Sequence, residues 1–507
     1  MAELAPPRKW PLALLSLGVL LIVGLGIRLY DLTDPPLDFH ETRQLGSASI
    51  ARGIYYRMLP GAPDDIVDLA TSLADQSPVY EPRIMETLVA FAYLGAGGEY
   101  LWIARIFSSV FWVLGAIGLY VLSKELTSTA GGLTAVAFYL ILPYGVIASR
   151  SFQPDPLMTA LIVYALLAIW RWSEEPTDRR AAIAGAVSAA AILAKAVAAF
   201  PVLGAIVAAG LAVIGIRHVW KDRQVWAMLL IAVLPALIYY LFLTPGGPGG
   251  FITFWVISLR DLLRQPFFYV RWVQQVEYVI GFGWLIVGLA GTLLVGKRVG
   301  RVMLVGAWAG YLIYGLAFPF QIMTHDYYHL MLIPMVALGL APWGAMAYSF
   351  LAKGHWAWRL AALGVAAFAA VFLLWEARVT LASEDYRLEA EGWRRLAEKM
   401  PDDGSIVAIS HGYGTRLRYY AWTGTRFWPG VADIGLSALA GAGDFDYEAE
   451  FRERTNGASY FLINNFWELD NQPELKAILY QRFPIYDEGD GYLIFDLTRR
   501  IDEDGQG

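Results

Sequence analysis

The feature that most constrains this chain is a succession of apolar runs, each about 20 residues long, the length a helix needs to cross the hydrocarbon of a bilayer. They fall near 10–28, 100–122, 129–148, 155–172, 181–197, 199–216, 225–243, 277–296, 302–320, 328–350 and 357–376. Of the 507 residues, 57% are apolar and only 17% are charged, and the charges bunch between the runs. A soluble enzyme cannot hide so much apolar surface. The pattern predicts a polytopic α-helical membrane protein with about 11 transmembrane helices. Lys195 and Pro201 mark the split drawn between the fifth and sixth runs.

Alternate gaps between runs hold Lys124; Arg171, Arg179 and Arg180; Arg217, Lys221 and Arg223; Lys297, Arg298 and Arg301; and Lys353 and Arg359. The positive-inside tendency places those gaps and the basic N-terminus in the cytoplasm, and an odd number of spans then puts the C-terminal part outside. The first run follows basic residues as a signal peptide would, but no small-x-small cleavage site follows it, so it is read as a retained helix. The absence of cysteine excludes disulfides, thiolate metal sites and cysteine nucleophiles. The formal net charge of −6 arises from the C-terminal part and the first large loop, and no basic stripe suggests nucleic acid.

Two segments on the expected outer side are too long to be connectors. Residues 29–99 contain an expected interfacial helix from Glu41 to Arg57 and a second short one from Met85. Residues 244–277 open with "TPGGPGGF", a Gly/Pro hinge leading into an interfacial or re-entrant segment, a candidate lid. The membrane part is taken as 1–376. Beyond it the character changes. An amphipathic helix at 385–399, a strand "SIVAIS" (405–410), a helix at 413–422, a strand "SYFLIN" (459–464), a helix at 472–482 and a strand "GYLIFDL" (491–497) predict a small α/β domain over 377–500. It carries no nucleotide-binding or nucleophile-elbow motif, so it reads as a cap or an acceptor-binding module. The tail 501–507 is expected to be disordered.

Ionisable groups at membrane depth are costly and mark function. Those expected on the outer face form a consistent set. Asp38, His40, Glu41 and Arg43 open the first loop; "YEPR" contributes Tyr80, Glu81 and Arg83; "RSFQPDP" contributes Arg150, Gln153 and Asp155. "LAKAV" supplies Lys195, and "HDYYH" supplies His325, Asp326, Tyr327, Tyr328 and His329. Carboxylates can deprotonate an acceptor hydroxyl, while Lys and Arg can neutralise a phosphate leaving group. Bland readings stand beside these. Asp155 with Pro156 is a fitting helix start, Arg150 is placed to snorkel, and "HDYYH" suits an interfacial aromatic belt. Zinc held by His40, His325 and His329 has only the weak His325–His329 spacing in its favour.

In this order, "ETR" (Glu41–Arg43), "YEP" with "ARIFSS", "PDPLMTAL", "ILAKAVAAFPVL" and "DYYHLMLIPMVALGLA" resemble the motifs of the GT-C glycosyltransferases that use polyprenyl-phosphate-linked sugars. The bacterial lipid A aminoarabinose transferases, the protein O-mannosyltransferases and the broad bacterial dolichyl-phosphate-mannose-like family are the nearest groups. The resemblance implies inverting transfer of one sugar to an acceptor hydroxyl at the outer face of a bacterial cytoplasmic membrane. It implies a base among Asp38, Glu41 and His40, with Asp38 preferred: His40 stands where the family has Asp, and Asp38 lies two residues earlier. Arg43, Lys195, Arg150 and Arg83 become candidate donor-phosphate ligands. Glu81, Tyr80, Asp155 and the 325–329 group become substrate-orienting candidates; Pro82 replaces the family's Lys after Glu81. An oligosaccharyltransferase-like transfer from a lipid pyrophosphate would instead use Mg²⁺ or Mn²⁺ held by Asp38, Glu41, Glu81 and Asp155. A transporter or flippase would need mid-bilayer polar groups in two repeated halves, and no repeat is visible.

Overall fold

The computed structural model describes residues 10–77, 81–244, 249–400 and 405–501. Two compact units make up the chain. The first comprises Met1–Leu32, Tyr80–Ile84 and Ala104–Ser383; the second comprises Thr33–Val79, Met85–Ile103 and Glu384–Gly507.

Helices occupy every apolar window of the first unit. Among the described residues, seven are long and apolar enough to cross a membrane: Leu101–Leu126, Asp155–Glu174, Ala196–Ile214, Arg223–Leu243, Arg298–Ala317, Asp326–Lys353 and Trp356–Leu381. An eighth span arises if the pair Pro266–Ile280 and Phe282–Leu293, bent by 87°, is counted as one. That bend replaces the straight span expected at 277–296, and its cause is Gly281, whose φ of 84° the other residues rarely adopt. The remaining windows hold shorter helices. Thr129–Ile141 stops before Pro143, and Asp178–Ala194 has a charged first turn.

Small residues allow helices to approach closely. Ala199–Ile214 crosses Arg298–Ala317 at Gly204 and Gly306, where a β-carbon on either would meet the backbone carbonyl of the other. Apolar lipid gives helices no reason to associate through hydrophobicity, so such backbone contact carries the packing. Trp356–Leu381 instead leaves most of its apolar surface outward, with Phe368 73% exposed. Arg28 is fully buried at the end of Trp10–Arg28 and donates to Ser149 Oγ (2.6 Å) and to the carbonyls of Gly24 (2.7 Å) and Leu140 (2.9 Å). It is a structural arginine.

The second unit holds three helices of the first loop, Glu41–Met58, Asp64–Asp75 and Ile84–Ala96, together with the C-terminal α/β fold. The five strands, β1 (Ile406–Ile409), β2 (Arg426–Phe427), β3 (Tyr460–Ile463), β4 (Ile485–Gly489) and β5 (Tyr492–Asp496), form one sheet ordered β2-β1-β3-β5-β4. β1 runs parallel to both β2 and β3, while β5 pairs antiparallel with β3 and β4. Val407, Ile409, Phe461, Ile463, Leu493 and Phe495 bury one core with Trp428, Phe451, Leu475 and Leu479. Trp428 Nε1 is satisfied by Gln472 Oε1 at 2.8 Å. In the second long loop, Pro245–Pro248 of the expected hinge, like Tyr80 and 502–507 of the tail, lie outside the described residues.

Candidate functional site

The turn that launches Glu41–Met58 presents the loop's carboxylates. Leu37 and Phe39 are buried at 7% and 8% exposure, and Asp38 between them in the turn is exposed. His40 reverses the chain with φ 45° and ψ 55°, a left-handed conformation that costs a residue with a β-carbon about 1–2 kcal/mol. Its carbonyl accepts from the amides of Arg43 (3.0 Å) and Gln44 (3.3 Å). The Gln44 side-chain amide holds the Phe39 carbonyl, fixing the turn from inside.

Glu41 is the first residue of its helix, where the dipole favours an anion. Its carboxylate accepts from Arg416 Nε at 2.7 Å and from Arg416 Nη2, while Arg416 Nη1 reaches Glu389 Oε2 at 3.2 Å. Arg416 lies on the short helix Thr415–Tyr420, which follows Gly412, Tyr413 and Gly414, all with positive φ. A side chain at Gly412 would be strained by its φ of 57°, and a β-carbon there would stand 2.6 Å from Glu41 Oε1. Tyr386 completes the group. Burial, followed by the charges of Glu384, Asp38 and Glu41, pushes its phenol above the ordinary tyrosine value against the opposing pull of Arg416, so it remains a hydrogen-bond donor.

Two anchors hold this loop to the C-terminal residues of its unit. Asp34, 6% exposed, accepts the Tyr386 amide at 2.9 Å and pairs with Arg387 at 3.7 Å. Arg52 pairs with Glu99 at 2.7 Å and donates to the Tyr419 carbonyl at 2.7 Å. Its guanidinium is sandwiched 4.1 Å and 4.2 Å from the rings of Tyr419 and Trp422. Asp34, Arg52, Tyr386, Glu389 and Arg416 were not among the sequence candidates. The carboxylate before the "PP" of "TDPPLD" was the one local signal; the others depend on partners hundreds of positions away.

The first unit gathers a different set. Lys195 occupies the break between Asp178–Ala194 and Ala196–Ala198 in an extended conformation. Its Nζ meets both oxygens of Asp155 at 2.9 Å and lies 4.6 Å from the rings of Tyr327 and Tyr328. Lys195 and Asp155 are 3% and 1% exposed, a buried, neutral pair. Asp155 is the first residue of its helix, and both its carboxylate oxygens accept from Lys195. Lys195, expected as a phosphate ligand, already has its carboxylate.

Arg150 is likewise engaged: Nη1 and Nη2 donate to the carbonyls of Tyr30 (2.6 Å) and Asp31 (2.9 Å), which makes it a clamp on the end of the first helix. His329, expected to orient substrate, has both ring nitrogens bound within the fold, to Tyr311 Oη at 2.7 Å and the Ile322 carbonyl at 2.8 Å. His325 contacts Thr324 Oγ1 at 2.7 Å and faces the Tyr327 and Tyr328 rings; Asp326 accepts the Tyr327 amide. Glu81 and Arg83 are half-buried, and Glu81 stands within electrostatic reach of Tyr240, whose hydroxyl is held at the Ala196 backbone. Tyr80 lies outside the described residues.

Among the described residues, no three His, Asp or Glu side chains come together in a way that could hold a metal ion. Of the acidic residues expected to hold Mg²⁺ or Mn²⁺, Glu41 is paired with Arg416 within the second unit and Asp155 with Lys195 within the first. Of the three histidines weighed for zinc, His329 has both ring nitrogens already bound within the first unit.

Comparison with known proteins fits this geometry. Residues 87–240 match the family model described as dolichyl-phosphate-mannose-protein mannosyltransferase. ArnT from Cupriavidus metallidurans, solved bound to undecaprenyl phosphate, is similar over 96% of this chain and 98% of its own, at 13% identity and a TM-score of 0.53. AglB from Archaeoglobus fulgidus, an archaeal oligosaccharyltransferase solved with an inhibitory peptide and a dolichol-phosphate, is similar over 97% of this chain and 74% of its own, at 15% identity and a TM-score of 0.56. No curated protein matches the sequence. The chain has the GT-C fold, and its residues 87–240 match the dolichyl-phosphate-mannose-protein mannosyltransferase family.

Proposed function

We propose that this chain is a membrane glycosyltransferase that moves one sugar from a polyprenyl-phosphate donor to an acceptor hydroxyl. The observation that carries the reading is the likeness of the fold, over 96% of the chain, to a protein solved with undecaprenyl phosphate. The carboxylates of the first loop supply the chemistry. In the reaction a carboxylate takes the acceptor's proton as its oxygen bonds to the anomeric carbon. The bond from that carbon to the phosphate oxygen breaks, and polyprenyl phosphate leaves with the electron pair. One base and a neutralised leaving group suffice, with inversion and no covalent intermediate.

Asp38 is the base. It is exposed, at the turn that launches the helix. Glu41, held in a fork by Arg416, then fixes the turn. Arg43 is the proposed ligand of the donor phosphate. Lys195 and Asp155 hold Tyr327 and Tyr328 in place. Transfer takes place at the extracytoplasmic face of a bacterial cytoplasmic membrane, with the N-terminus inside. The test is transfer of labelled sugar from a synthetic polyprenyl-phosphate donor by the purified chain, with and without chelator. Transfer that survives chelation supports the reading. Transfer seen only from a pyrophosphate carrier and only with a divalent cation favours the oligosaccharyltransferase-like alternative, for which AglB is the precedent.

A further inference from the structure

Beside the edge of the sheet where β1 meets β2, the second unit has a groove of about 560 Å³ lined by Gln76, Ser405, Arg418, Thr425, Arg426 and Phe427 among others. Among the described residues, no acidic side chain lines it. Arg418 is 7% exposed, its Nε has no hydrogen-bond partner, and its Nη1 makes only a long 3.5 Å bond to Ser77 Oγ. Among the described residues it makes no ion pair. Burial pushes its guanidinium below the ordinary arginine value, and no carboxylate opposes that.

A buried charge without a partner is among the most costly things a fold can retain, and it persists where something else supplies the counter-charge. Arg426 adds a second guanidinium, held by Ser405 Oγ and by the carbonyls of Arg454, Asn456 and Gly457 rather than by an acid. The Gln76 amide packs on Gly424, where a β-carbon would come 2.7 Å from its Nε2. Three donors without an acceptor of full charge thus share one groove, in a chain whose formal net charge is −6. The planar fork of a guanidinium matches the oxygens of a phosphate or a carboxylate.

We propose that this groove is an oxyanion-binding site in which Arg418 and Arg426, with the Gln76 amide, take a phosphate or carboxylate group. On the transferase reading, on which this last step rests, that group belongs to an anionic acceptor. Arg416 and Arg418 sit on the same short helix, so the helix that holds Glu41 also carries the anion site.

The test uses the full chain in detergent, with inorganic phosphate and glucuronate as probes, against chloride at constant ionic strength. The expected result is a saturable rise in melting temperature with at least one anion; phosphate alone or glucuronate alone identifies the class. Arg418→Met is expected to melt no lower than wild type in chloride and to lose the anion response. Thr425→Glu, which leaves Arg418 in place and puts a carboxylate in the groove, loses it too. Glu41→Gln keeps it. No saturable response to either anion, or an unchanged response in Arg418→Met or in Thr425→Glu, overturns the site. Absence of sugar transfer by a preparation that binds the anion overturns the proposed function and the acceptor assignment, and leaves the site standing.

Discussion

Arg416→Gln removes the cation that holds the carboxylate side of the turn. Two of its nitrogens serve Glu41 and a third serves Glu389, with Arg416 and Glu41 side chains 17% and 18% exposed. Two unit charges about 4 Å apart at an effective dielectric near 20 attract by roughly 4 kcal/mol. Hydrogen bonds to charged groups contribute about 1.5–3 kcal/mol net. Partial exposure and the cost of desolvating both ions lower the total, so we expect a Glu41–Arg416 coupling of about 1–3 kcal/mol. The assay is a double-mutant cycle of Arg416→Gln and Glu41→Gln, read by melting temperature and by kcat for sugar transfer. Loss of that coupling from the transition state lowers kcat roughly 5- to 150-fold with little change in donor KM. Arg416→Lys, which keeps the charge but not the fork, is expected to fall between. Additive single effects, together with wild-type kcat in Arg416→Gln, would refute the reasoning.

Four further perturbations read out other parts of the structure. Lys195→Met leaves Asp155 buried without its cation and is expected to destabilise by about 3–5 kcal/mol; adding Asp155→Asn should recover most of the loss of melting temperature. Gly412→Ala places a β-carbon against Glu41 at a positive φ and is expected to cost at least about 1–2 kcal/mol, with a matching fall in transfer rate. His40→Asn, which tolerates the left-handed turn, should retain transfer within about 3-fold, whereas His40→Val should lower the melting temperature; a large loss in His40→Asn would make His40 the base. Arg52→Gln abolishes the sandwich between Tyr419 and Trp422, and limited proteolysis should then cut the first loop faster than in wild type.

The membrane helices could be read from sequence because apolar length alone specifies them. β1, β3 and β5 were legible because they are short, apolar and buried. β2, two residues long, and β4, "IYDEG" at the sheet edge, have no such pattern, and neither does the acidic helix Asp64–Asp75. The first-loop motif located the turn and its candidate base. It could not say which carboxylate is engaged, because the partner of Glu41 stands 375 residues away in a helix with no motif. The same limit applies to the cations. Lys195 and Arg150 read as phosphate ligands from the family resemblance, and only the fold shows that Asp155 accepts from Lys195 and two backbone carbonyls from Arg150. Arg418 escaped notice for the opposite reason, since only a folded structure can show that a charge lacks a partner.

The central claim is that a carboxylate of the first loop, Asp38, deprotonates the acceptor. It is tested most directly by the single-turnover rate of Asp38→Asn with a synthetic polyprenyl-phosphate sugar and a supplied acceptor, in protein whose melting temperature matches wild type. Loss of a general base predicts a fall of at least about 100-fold with donor binding retained. A rate within a few-fold of wild type would contradict the account and move the base elsewhere in the loop.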